Sequence, residues 1–109
     1  MFMALEMRGI MYRVKPLPTG EHYLKHPNAI VTVYALAANE IELAEKANKI
    51  IAEDGWEIVS VAEKAFVIPL ERCGSQEAKD LFHKASFFGV AALYVATGID
   101  ESGTDFSSN

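Results

Sequence analysis

Two rhythms of apolar and polar positions alternate along this chain. Residues 29–37, AIVTVYALA, form a run of small, β-branched and aromatic side chains, the composition of a strand. From Glu40 onward the period changes. Leu43, Ala44, Ala47, Ile50 and Ile51 fall on one side at about 100° per residue, and Glu42, Glu45, Lys46, Lys49 and Glu53 on the other. This predicts an amphipathic helix over residues 40–53. Asn39 offers an N-cap oxygen, Glu42 stands at capping-box spacing, and Glu42/Lys46 and Glu45/Lys49 form favourable i,i+4 pairs. Gly55 supplies a left-handed residue at the helix end, after which Trp56 can fold back onto Ile51.

A second strand is expected over 56–62 and a third over 65–70, joined by a tight turn at Glu63-Lys64. No Gly or Asn marks that turn, so one long bent strand reads similarly. Ser75 can cap a second helix over 76–86, with Ala78, Leu81, Phe82 and Ala85 on its apolar face. Residues 87–97 read two ways. Ala85, Gly89, Ala92 and Ala96 would make a small-residue ridge on a longer helix, whereas Val90, Leu93, Tyr94 and Val95 favour a strand. We prefer the strand, because a helix here would be apolar nearly all round.

Before Ala29 the signals are weaker. Methionines fall at 1, 3, 7 and 11, and residues 1–10 are expected to be poorly ordered or an upstream extension, with Met11 a natural start. A short edge strand is expected over 11–14. Pro16, Pro18, Gly20 and Pro27 then mark a long loop, so residues 11–28 form an edge strand and loop before the core. The acidic, Ser/Gly-rich residues 100–109 are expected to be a disordered tail.

From Ala29 the expected order is β-α-β-β-α-β. It resembles the ferredoxin-like arrangement, an α+β two-layer sandwich. That resemblance implies a four-stranded antiparallel sheet with two helices on one face, a core over 29–99 and an N-terminal extension. It covers a superfold and names no function. A bare second sheet face should alternate with polar residues. Here Ile30, Tyr34 and Leu36 lie on one side of the first strand and Val31, Val33, Ala35 and Ala37 on the other. An open apolar face points to cover by a second copy, another protein or the chain's own first residues. Tyr34, Phe66, Ile68 and Tyr94 are the interface candidates.

Composition narrows the function classes. At 109 residues, half of them hydrophobic, the chain is one globular domain with enough core to fold unaided. A formal charge of −5 without a basic run opposes nucleic acid as a partner. No apolar run reaches the roughly 18 residues that span a bilayer. The single cysteine excludes an internal disulfide and a cysteine-rich metal centre, and sets a reducing, cytoplasmic location as the expectation.

Candidate chemistry is sparse. His22 and His26 stand four apart, but between Gly20 and Pro27 and with no obvious third ligand, so no metal site is expected. His22, Tyr23, His26 and Tyr34 are the residues that could line a small apolar ligand site. Cys73 precedes a helix start, where a thiol can be activated, and His83 is the one histidine after it. A structural cysteine and a solvated histidine are the simpler readings. GxGxxG, GxxxxGK[ST] and CxxC are all absent from the sequence.

The expectation is therefore a small, non-catalytic binding or regulatory module that self-associates through its sheet, with no catalytic residues, metal or cofactor. The alternative is a cofactor-independent enzyme of the dimeric α/β-barrel type, with an apolar pocket between two sheets.

Overall fold

The computed structural model describes residues 5–18 and 28–96. Four strands and two helices follow in the order β1 (Glu6–Pro16), β2 (Ala29–Ala37), α1 (Glu40–Glu53), β3 (Trp56–Val67), α2 (Gln76–Phe88) and β4 (Val90–Ala96), with a 3-10 turn at Leu70–Arg72 between β3 and α2. The strands form one antiparallel sheet in the order β3-β1-β2-β4. The protein is thus an α+β domain with one four-stranded antiparallel sheet and two helices, its described elements running ββαβαβ. Strands β2 and β3 run parallel on either side of β1, so β2-α1-β3 is a split βαβ unit.

The N-caps at Asn39 and Ser75 and the Gly55 helix end are local signals, and they operate as read. Glu42 N–H donates to Asn39 Oδ1 at 2.8 Å, and Ala78 N–H donates to Ser75 Oγ at 3.1 Å. Gly55 and Gly89, just past the two helices, have φ of 90° and 91°. The expected Glu42/Lys46 pair on α1 gives way to the junction with β2. Glu42 Oε1 accepts from Ala38 N–H at 2.8 Å, and Lys46 Nζ donates to Leu36 O at 2.7 Å. Arg8 reaches the same corner and donates to Ala37 O and Ala38 O, both at 3.1 Å. Carbonyls released at the end of β2 are therefore satisfied by cations from α1 and β1.

Four expectations change. First, residues 6–10 are not an unordered extension. They form half of β1, a central strand paired with β2 on one side and β3 on the other, and the expected edge strand at 11–14 is its other half. Second, the expected hairpin at Glu63-Lys64 is one continuous strand, β3. Its register against β1 slips at three places, between Gly9 and Met11, Met11 and Tyr12, and Arg13 and Val14. Bulges of this kind bend a strand without reversing it. Third, residues 87–97 divide: Phe87 and Phe88 end α2, and a strand begins at Val90. Gly89 makes the break because its left-handed backbone disfavours a side chain.

Fourth, the helices do not share one face. Leu43, Ala47 and Ile51 of α1 pack with Ala29, Val31, Val33, Ala35 and Ala37, with Ile10, Tyr12 and Val14, and with Trp56. Leu81 and Ala85 of α2 pack with Met7, Tyr34, Cys73 and Ala91. Val33 and Tyr34 are strand neighbours and point to opposite sides, so α1 and α2 lie on opposite faces of the sheet. The two-sided apolar pattern of β2 is the reason: each face needs cover.

Candidate functional site

Alternation along the strands places Met7, Gly9, Met11 and Arg13 of β1 on the α2 face. Ile30, Thr32, Tyr34 and Leu36 of β2, and Ala91, Leu93 and Val95 of β4, share it. Helix α2 covers one end of this face. Leu81 and Ala85, with Ala78 and Phe82 at the margin, bury Met7, Tyr34 and Ala91 and partly bury Leu36, Phe66, Ile68 and Leu93. Gly9 allows the tightest contact there, because a Cβ at that position would stand 2.6 Å from the Phe66 ring. Tyr34, the cross-strand partner of Gly9, meets the same ring edge-on at 6.3 Å.

The other end of the face lies outside that cluster. Met11 and Thr32 are register partners, as are Arg13 and Ile30, and Ile30 in turn pairs with Val95. Val95 is 58% exposed and Val59, at the bulged edge, 57%. A half-open depression of about 350 Å³ lies at the margin of this region, lined by Arg13, Val14, Asn28, Ala29, Ile30 and Val59. Its lining is mostly apolar, with the Arg13 guanidinium as its cation. Arg13 Nη1 donates a long bond of 3.5 Å to Val61 O.

The structure separates the residues singled out from sequence. Tyr34 is 5% exposed beneath α2, and Phe66 and Ile68 are half-buried in the same cluster. Tyr94 lies on the α1 face, stacked on Trp56 at 5.4 Å with its hydroxyl donating to Asp54 Oδ2 at 2.6 Å. Three of the four interface candidates are therefore packed beneath the domain's own helix, and the fourth is on the other side of the sheet. His22, Tyr23 and His26 lie outside the described residues. The Asp54 partner of Tyr94 and the exposed Phe87–Phe88 pair escaped the sequence reading. A Tyr and an Asp forty positions apart carry no joint sequence signal, and the two phenylalanines were expected within a strand.

Cys73, Tyr12, Tyr34 and Tyr94 are all pushed toward their protonated forms. Burial pushes the Cys73 thiol up, Glu71 adds to that, and Lys79 offsets part of it. Cys73 sits in the α2 cluster with Sγ 3.9 Å from Pro69 O, while His83 is exposed on the helix beside Phe82. Burial also raises Tyr12 and Tyr34, with the charge of Cys73 a second cause at Tyr34. Tyr94 is raised strongly, by burial first and then by the hydrogen bond to Asp54. Raised acids keep their protons, which opposes a role as nucleophile or base at neutral pH.

Among the described residues no three His, Cys, Asp or Glu side chains are grouped to hold a metal ion, and no helix is long and apolar enough to cross a membrane. No family model, curated protein or solved structure matches the chain.

Proposed function

We propose that this protein is a small binding or regulatory module that works without catalysis and self-associates through its sheet. The observation that carries the reading is the unequal cover of the α2 face. Helix α2 buries one end, and the remaining end offers Met11, Ile30, Thr32 and Val95. An apolar surface left between packed elements is characteristic of an interaction site. The raised Cys73 and tyrosines support the non-catalytic part, since none is primed for chemistry.

The enzyme alternative needs two sheets closing face to face around a cavity. Both faces of this sheet already carry a helix, and Tyr34, its proposed pocket residue, is buried under α2. Light scattering on a sizing column over a range of protein concentrations tests the proposal. A mass of two chains is the expected result. A single-chain mass throughout overturns self-association.

A further inference from the structure

The two edges of the sheet are built differently. The β3 edge is defended: its register slips three times, and Glu57, Glu63 and Lys64 stand along it. Bulges and charges are the usual means by which an edge strand avoids pairing with another chain. The β4 edge has neither. Its seven residues, VAALYVA, carry no charge and no proline, and they pair with β2 from Ala29↔Ala96 to Ala35↔Val90 without a slip.

The hydrogen-bond phase of β4 follows from one contact. Leu36 N–H donates to Gly89 O at 3.0 Å, which makes that rung a hydrogen-bonded one. Rungs alternate in an antiparallel pair, so Ala91, Leu93 and Val95 direct their backbone groups to β2. Val90, Ala92, Tyr94 and Ala96 direct theirs outward, and among the described residues β4 is the last strand of the sheet.

We propose that β4 pairs antiparallel with β4 of a second copy, joining two sheets into one of eight strands. This deepens the self-association reading above and rests on it. A second copy fits the edge chemically. In the register that overlaps all seven residues, Leu93 faces Leu93 across the two-fold axis, Ala91 faces Val95, Tyr94 faces Ala92, and Val90 faces Ala96. No charge meets a like charge, and a two-fold contact of this kind closes on itself. Phe87 and Phe88, 81% and 69% exposed, stand immediately before the same edge and add apolar surface beside it.

Two measurements on the full chain test the pairing. Amide hydrogen exchange is followed at concentrations above and below the dimer's dissociation constant. Ala92 and Tyr94 amides are expected to exchange at least ten-fold more slowly in the dimer than in the diluted monomer, while Leu93 is slow in both. In parallel, Ala92→Pro removes an outward donor without touching the β2 ladder. It is expected to raise the dissociation constant about thirty-fold, for one hydrogen bond lost on each copy. A dimer whose Ala92 and Tyr94 amides exchange freely overturns edge pairing and leaves self-association standing. A monomer at every concentration overturns both. Slow exchange that persists unchanged in the monomer marks strand addition from within the chain, and also overturns the pairing.

Discussion

The two faces of this sheet are served by the same central strand and covered to different extents. On the α1 face, Leu43, Ala47 and Ile51 close a cluster reaching from Val14 and Ala29 to Ala37. On the other, α2 covers only the Met7–Leu36 end. The cause is where its connections attach. Ile68 N–H donates to Met7 O at the entry, and Leu36 N–H donates to Gly89 O at the exit, while Met7 and Leu36 are register partners. Both ends of the β3-α2-β4 link are thus pinned to one rung of the sheet. Helix α2 crosses that end, and among the described residues no helix covers the Arg13–Ile30 end. How much of a face a helix covers here is set by its anchor points as well as by its apolar stripe.

Core truncations break the comparison most sharply. Leu43→Ala, at a fully buried site on the α1 face, is expected to lower stability by about 4 kcal/mol, and Leu81→Ala on the α2 face by about 2–3 kcal/mol, read from urea unfolding. Equal losses would mean that the two clusters hold the sheet equally. Next comes the contact beneath α2. Gly9→Ala is expected to cost about 1–3 kcal/mol, because the new methyl must displace the Phe66 ring, and Phe66→Leu in the same chain should recover part of the loss.

Tyr94→Phe probes the α1 side at about 1 kcal/mol near neutral pH, the value of one hydrogen bond. Its pH dependence has a definite sign. Folding raises the Tyr94 pKa, so its contribution is fully present below the unfolded value of about 10 and is lost as pH rises beyond it. Wild-type stability should therefore fall above pH ~10, and the fall should be shallower in the phenylalanine variant. The smallest effect is expected on the half that α2 does not reach. Val95→Thr should change unfolding stability by less than about 0.5 kcal/mol, since that side chain is largely exposed.

Both helices were legible in the sequence because their signals are short-range: Asn39 and Ser75 at the starts, a 3.6-residue apolar period within, and Gly55 at the end of the first. β2 was legible from composition, and β4 from the poor fit of a helix. β1 was not. In EMRGIMYRVKP a glycine and two arginines interrupt the apolar positions, and only pairing on both sides makes the segment a strand. The hairpin expected at Glu63-Lys64 had no Gly or Asn at its turn, and only the register against β1 shows residues 56–67 to be one bulged strand. The interface candidates followed from an accurate observation with two explanations. Apolar residues on both sides of β2 signal cover, but Tyr34 and Leu36 do not reveal whether the cover is another chain or α2. Sheet side is a tertiary property, and Tyr94's place opposite Tyr34 could not be read without the register.

The position of β1 also orders events in time. β1 is an inner strand, yet its partner on one side, from Trp56 to Val67, lies 40 to 59 residues downstream (Pro16↔Trp56, Arg8↔Val67). β1 and β2 can meet early, but the sheet stays open on the β3 side until much of the chain has been made. Such distant pairing slows folding, so this small domain is expected to fold in milliseconds to seconds rather than microseconds, leaving β1's unpaired edge as the surface a nascent chain must keep from strangers.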